Sequence, residues 1–213
     1  MRGIKDCSLY LVVSEEYGRR RASLEIAKAA VSGGIDILQM REKTMPRQEL
    51  IRLGSRLLGL CRENGVIFIA NDDPLLAKEL DADGVHLGQE DLERFSVGRA
   101  RAILGKDRII GVSTHSVSQF KIANESDVDY IAFGPIFPTK TKDYFLGTAH
   151  IKIVVEMAKK PSFFIGGINL SNIDEVLREG AGGIALIRGI LEADDIASAA
   201  RGFKERLKAH LNR

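Results

Sequence analysis

Short apolar, β-branched runs alternate along the chain with longer stretches whose apolar residues return every three or four positions. The runs are SLYLVVS (8–14), GIDILQM (34–40), VIFIAN (66–71), GVHLGQ (84–89), RIIGVST (108–114), YIAFGPI (130–136), SFFIGGI (162–168) and GIALIRG (183–189). Each reads as a strand, and strands separated by helical patterns predict βαβ units on a parallel sheet. Eight such units in 213 residues predict a compact (β/α)8 TIM barrel, one domain spanning 1–213. An open doubly wound sheet is the alternative. Its Gly-rich turn usually follows the first strand. Here that strand leads into SEEYGRRR, with one glycine, and the Gly-rich turns come after strands seven and eight.

The intervening stretches carry helix boundaries. RRRASLEIAKAAVSGG is amphipathic and stops at glycines. Pro46 suits the first turn of the next helix. In NDDPLLAKEL, Asp73 can cap and Pro74 can occupy the first turn. SNID (171–174) resembles a capping box with a shorter acid. The tail places Ile196, Ala199, Ala200, Phe203 and Leu207 at helical spacing.

Composition narrows the picture. Net charge is +2, from 31 basic and 29 acidic residues, which gives no reason to expect nucleic acid or a membrane surface as partner. Cys7 and Cys61 lack metal-binding spacing and read as reduced, semi-buried thiols. The N-terminal apolar run is too short for a signal peptide, and no stretch approaches the roughly 20 apolar residues of a membrane span. A cytoplasmic location is the resulting expectation.

Barrel active sites gather at the carboxyl ends of the strands, so the residues there carry the candidate chemistry. In IDILQMREK, strand alternation puts Ile35, Ile37, Gln39, Arg41 and Lys43 on one face and Asp36, Leu38, Met40 and Glu42 on the other. Gln39, Arg41 and Lys43 would span roughly 13 Å and could bind a polar ring with an anionic tail. They could equally form a solvated strand end paired with nearby acids. Strand three ends Asn71, Asp72, Asp73; with Asp73 capping, Asp72 is left over. Strand four brings Asp91 to the neighbouring rim, either as a cap or as a partner of Asp72 in holding Mg²⁺. His86 reads as a hydrogen-bonded core residue. Ser113 can face ligand or cap a helix. Thr139, Thr141 and Lys142 lie in a donor-rich loop, either exposed or folded over the site. Gly167, Ile187 and Arg188 could form a phosphate cradle, or the glycines could serve simple turns. Together these residues place anion-binding groups at two ends of one mouth: a metal-bound polyphosphate at one, a monophosphate at the other.

The stretches LYLVVS, QMREK, NDDPLLA, DGVHLGQED, IIGVSTHS, DYIAFGPIFPTKTK, and FFIGGI followed by REGAGGIALIRGI run in this order along nearly the whole chain. In them the sequence resembles the thiamine-phosphate synthase family. The resemblance implies the same barrel and an enzyme that joins 4-amino-2-methyl-5-pyrimidinylmethyl diphosphate to 4-methyl-5-(2-hydroxyethyl)thiazole phosphate. The products would be thiamine phosphate and pyrophosphate. Gln39, Arg41, Lys43 and Asn71 would contact the pyrimidine diphosphate, and Asp72 and Asp91 would bind Mg²⁺. Ser113 would lie near the pyrimidine, Thr139 and Thr141 would face the thiazole phosphate, and Lys142 the diphosphate. Gly167, Ile187 and Arg188 would hold the thiazole phosphate. Such a reaction needs charge neutralisation and positioning rather than a protein nucleophile, and the catalytic weight would fall on Arg41, Lys43, Ser113 and Lys142.

Three departures stand out: Arg188 where the family commonly has Ser or Thr, a short segment DYFLGTAH after Lys142, and NDDP in place of the more frequent NDR. A related barrel, the thiazole tautomerase, has a histidine at the position of Pro135 and tends to lose the metal acids. A non-catalytic phosphate-ligand binder is a third reading, favoured by Arg188 alone. Small phosphorylated molecules are the expected partners, with a homo-oligomer as a further possibility.

Overall fold

The computed structural model describes residues 3–140 and 142–211. Among the described residues, eight strands form a closed parallel barrel in chain order. The strands are β1 (Leu9–Val13), β2 (Ile37–Met40), β3 (Ile67–Asn71), β4 (Gly84–Leu87), β5 (Ile109–Thr114), β6 (Tyr130–Phe133), β7 (Ser162–Ile165) and β8 (Ile184–Leu186). The helices are α1 (Ser23–Ser32), α2 (Arg47–Asn64), α3 (Pro74–Leu80), α4 (Val97–Leu104), α5 (Val117–Glu125), α6 (Ile151–Met157), α7 (Ile173–Arg178), a one-turn α8 (Arg188–Leu191) and α9 (Ile196–Leu211). Every strand lies within its predicted run. Cys7 and Cys61 are both buried, and neither enters a disulfide. No helix among the described residues is long and apolar enough to cross a membrane.

Strand alternation divides the core in two. Tyr10, Val12, Ile37, Ile67, Ile69, Tyr130, Phe163 and Ala185 fill the barrel. Their neighbours, such as Leu11, Leu38, Met40 and Phe68, pack under the helices. Ile37 and Gln39 therefore point inward, as the alternation in β2 predicts. Ile35 does not: it belongs to the outer layer. The strand begins only at Ile37, and the Ile35 N–H still bonds back to Ala30 O at 3.4 Å, after Gly34 has turned at φ +91°.

The helix signals hold with two corrections. Pro46 stands at the N-cap of α2, one residue before the first turn expected for it. Asp73 caps α3 by accepting from the Leu75 and Leu76 N–H groups, with Pro74 next. The five spaced residues of the tail are buried on α9. The capping box at SNID does not form. Asn172 precedes α7 without a side-chain cap. Asn169 Oδ1 instead accepts from Ser171 N at 2.8 Å, and Asn172 Oδ1 from Asn169 N at 2.8 Å. An asparagine two residues before the serine thus captures it in a local turn.

The foot of the barrel is tied by carboxylates. Asp36, Asp83 and Asp129 precede β2, β4 and β6. Each accepts from a backbone N–H of the preceding strand: Leu9, Phe68 and Ile110, at 2.9, 2.8 and 2.8 Å. Asp36 also takes Ser8 N and the ammonium of Lys204 on α9.

Gly111 in β5 marks a tight spot inside. A Cβ there would land on the Tyr130 ring, which is fully buried. Gly111→Ala is expected to cost about 1–3 kcal/mol, the usual range for overpacking. Urea unfolding should show a lower midpoint at unchanged slope; an unshifted midpoint would mean the ring has room to move.

Candidate active site

A cavity of about 750 Å³ opens at the carboxyl ends of the strands. Arg41, Lys43, Asn71, Asp72, Asp91, Ser113, Thr139, Lys142, Gly167, Ile187 and Arg188 all line it. Thr141 lies outside the described residues. Gln39 is 3% exposed and sits beneath the cavity, bonded to Tyr10 and Asn71.

Backbone geometry brings the two acids together. The Arg41 N–H still pairs with Val13 O at 3.0 Å, which carries the β2 line to the rim. With Asp73 engaged as a cap, Asp72 turns away at φ +64°, a region that Asp tolerates better than most residues. Its carboxyl meets that of Asp91, and it also accepts from Asn71 Nδ2. Gly88 leaves the space they share: a Cβ there would be 2.7 Å from Asp91 Oδ2 and 4.0 Å from Asp72 Oδ1. Burial, reinforced by the Asp91 carboxylate, pushes the Asp72 carboxyl up to about 7, while Lys43 and Arg41 pull it down. Asp91 does not cap a helix through its side chain; it starts a short 3-10 turn and accepts from Gly88 N at 3.2 Å.

This arrangement fits a hard cation. Two crowded carboxylates favour a positive charge between them, and Mg²⁺ is commonly held by one or two carboxylates with waters and substrate phosphates. Among the described residues no group of three or more His, Cys, Asp or Glu forms a fuller metal site.

Beneath the acids lies a buried polar network. His86, 7% exposed, pairs through Nδ1 with Tyr130 OH at 2.9 Å and through Nε2 with Ser113 Oγ at 2.8 Å. Burial, aided by the neighbouring His115 side chain, pulls its imidazole down to about 4 and keeps it neutral. His86 is thus the hydrogen-bonded core residue that its position suggests. Ser113 does not cap α5; Ser116 does, accepting from Gln119 N at 3.1 Å.

Gly166 and Gly167 follow β7 with φ +101° and +67°. A Cβ on Gly167 would come within 2.7 Å of Pro138 O, so the loops after β6 and β7 pack backbone to backbone. The Arg188 guanidinium lies 4.6 Å above the Tyr17 ring and 3.5 Å from Glu192. Arg21 fixes this corner by donating to Gly18 O and Ala193 O.

Tyr17, Gln89, His115 and Glu192 also line the cavity, outside the predicted set of site residues. Tyr17 and Glu192 orient Arg188. Gln89 donates to Ser113 O at 2.6 Å. His115 bonds Gly134 O through Nδ1. Glu192, four residues after Arg188, was accessible from helical spacing; Tyr17 approaches only through the closure of β1 against β8.

The thiamine monophosphate synthase family model matches residues 9–190. Thiamine-phosphate synthase of Pelotomaculum thermopropionicum is 39% identical over 207 residues, covering 96% of this chain and 94% of that one. The enzyme of the same name from Thermus thermophilus is 41% identical over 208 residues, covering 93% and 96%. The solved thiamine phosphate pyrophosphorylase from Pyrococcus furiosus superposes with a TM-score of 0.89 at 32% identity, over 98% of both chains. A closed barrel, a mouth lined by paired acids and cations, and these similarities along nearly the full length agree: the chain belongs to the thiamine monophosphate synthase family.

Proposed function

We propose that this chain, acting as one barrel unit over 1–213, makes thiamine phosphate from an aminopyrimidinylmethyl diphosphate and a hydroxyethylthiazole phosphate. The observation that carries this reading is one cavity lined by the Asp72–Asp91 pair, by the Arg41, Lys43 and Lys142 cations, and by Gly167, Ile187 and Arg188. The C–O bond to the diphosphate breaks, the electron-rich aminopyrimidine carries the cationic charge, and the thiazole nitrogen closes the new C–N bond. Arg41 and Lys43, together with Lys142, take up the negative charge that grows on the departing oxygens. Asn71 and Ser113 orient the pyrimidine ring. Thr139, Thr141, Gly167, Ile187 and Arg188 hold the thiazole phosphate, so that the nitrogen faces the reacting carbon. Gln39 acts from below, by orienting Asn71. Asp72 and Asp91 would hold Mg²⁺, which would supply further charge neutralisation to the diphosphate.

Pro135 stands where a tautomerase would carry histidine, and both acids are retained. The test mixes both substrates with the protein, with Mg²⁺ or with a chelator. Thiamine phosphate and pyrophosphate should appear in equal amounts with the metal, cease on chelation and return when Mg²⁺ is restored. Thiazole isomerisation without coupling would favour the tautomerase. Binding without turnover would favour the phosphate binder. A cytoplasmic location fits these small phosphorylated substrates.

A further inference from the structure

The side chains under the cavity form one unbroken series of hydrogen bonds. Asn71 Nδ2 donates to Asp72 Oδ2. Gln39 Nε2 donates to Asn71 Oδ1 at 2.7 Å, and Tyr10 OH to Gln39 Oε1 at 3.1 Å. Tyr10 and Tyr130 hydroxyls lie 2.8 Å apart, Tyr130 OH is 2.9 Å from His86 Nδ1, and His86 Nε2 is 2.8 Å from Ser113 Oγ. Tyr10 and Tyr130 are 1% and 0% exposed, so water cannot substitute for a missing partner.

The direction of every proton in this series follows from its acidic end. A carboxylate oxygen only accepts. A proton shared between Asp72 and Asp91 would leave the oxygen facing Asn71 accepting all the same. Asn71 must then present its NH₂ to Asp72 and its carbonyl to Gln39. Gln39 must present its NH₂ to Asn71 and its carbonyl to Tyr10. Tyr10 spends its one proton on Gln39, so it accepts from Tyr130. Tyr130 spends its proton on Tyr10, so it accepts from His86, and Nδ1 carries the imidazole proton. The neutral ring then has a bare Nε2, which accepts the Ser113 hydroxyl proton.

We propose that this relay fixes Ser113 Oγ as a hydrogen-bond acceptor towards the cavity, selecting a ligand with an N–H on its ring, with Tyr10, Tyr130 and His86 as positioning residues. The Ser113 carbonyl is already engaged by Gln89, and among the described residues Oγ has no second partner. Its lone pairs therefore meet whatever lies against β5. An exocyclic amine on a heteroaromatic ring satisfies them; a ring carbonyl at the same place sets acceptor against acceptor. The ligand class rests on the proposed aminopyrimidine substrate, but the proton order does not.

Nitrogen-15 NMR of histidine-labelled, ligand-free protein tests the proton order directly, with His86 assigned by comparison with His86→Gln. The expected result is a neutral ring with the proton on Nδ1; a proton on Nε2 overturns the proposal. Tyr130→Phe removes the acceptor from Nδ1, frees the ring to place its proton on Nε2, and turns the Ser113 hydroxyl outward. In this variant the preference for the 4-amino pyrimidine diphosphate over its 4-oxo counterpart should fall about tenfold, the worth of one hydrogen bond. A loss of affinity for both ligands alike, with the ratio kept, would mean a purely structural role and overturn the proposal. Should the variant fail to fold, the wild-type spectrum still decides. If Nδ1 carries the proton yet neither pyrimidine binds the wild-type protein, the relay is supported and the substrate reading fails.

Discussion

Asp72→Asn is expected to lower kcat/KM for thiamine phosphate formation by about 10²- to 10³-fold at fixed Mg²⁺, the size of effect that follows loss of one preorganised charge-stabilising group. The substitution keeps the shape of the side chain and an oxygen that can accept from Asn71 Nδ2, so folding should be spared. It removes one of the two negative charges that make the pair a cation site. Asp91→Asn should behave alike, because the two carboxyls touch and share the space beside Gly88. Groups that act as a unit are not additive, so the double variant should be little worse than the poorer single one. Part of each loss should be recovered by raising Mg²⁺. Wild-type rates in both single variants, with unchanged Mg²⁺ dependence, would remove the metal from these residues.

Asp36→Ala is expected to destabilise the barrel by about 3–5 kcal/mol, the cost of removing one partner from a buried ion pair. The Asp36 side chain is fully buried and that of Lys204 is 11% exposed. Truncation leaves the ammonium and the N–H groups of Ser8 and Leu9 without this acceptor. The Lys204→Met, Asp36→Ala double variant should lose less than the two single losses combined, since neither charge is then stranded. Urea midpoints of the four proteins measure this; additive losses would deny the pairing. The pair also predicts an acid response. Burial alone would raise the Asp36 carboxyl, but Lys204 and the Leu9 and Ser8 N–H groups outweigh it and hold it below the usual carboxylate range. The stabilisation is therefore complete above the unfolded value of about 4 and drains away as pH falls through the lower folded value. Wild type should lose stability in that acid range faster than the double variant.

Much of the architecture was legible because it rests on patterns of apolar residues. Eight β-branched runs and their intervening helices need only periodicity to be recognised. The acids and cations of the rim were legible as strand-end residues, and among the described residues every candidate site residue but Gln39 is found lining the cavity. Gln39 shows what periodicity misses: alternation gives the inward direction but not the depth. The relay was hidden for a related reason. Tyr10 and Tyr130 sit in apolar runs and read as core, and their hydroxyls matter only once β1 and β6 face each other across the barrel. Asp36 reads as an outer-face residue because its partners, Ser8 and Lys204, lie 28 and 168 residues away in sequence. A repeated clue was nonetheless present. An aspartate stands just before β2, β4 and β6, and each one stitches the foot of the neighbouring strand. The failed cap at SNID is a local competition that Asn169 wins.

Closure of the ring has one more consequence. Because β1 pairs with both β2 and β8, the barrel presents no unpaired border of N–H and C=O groups onto which a foreign strand could zip. Two copies cannot join by lengthening a common sheet. Any assembly of this protein has to be built from side chains on its outer helices and loops, where substitutions can tune it without disturbing the inner wall.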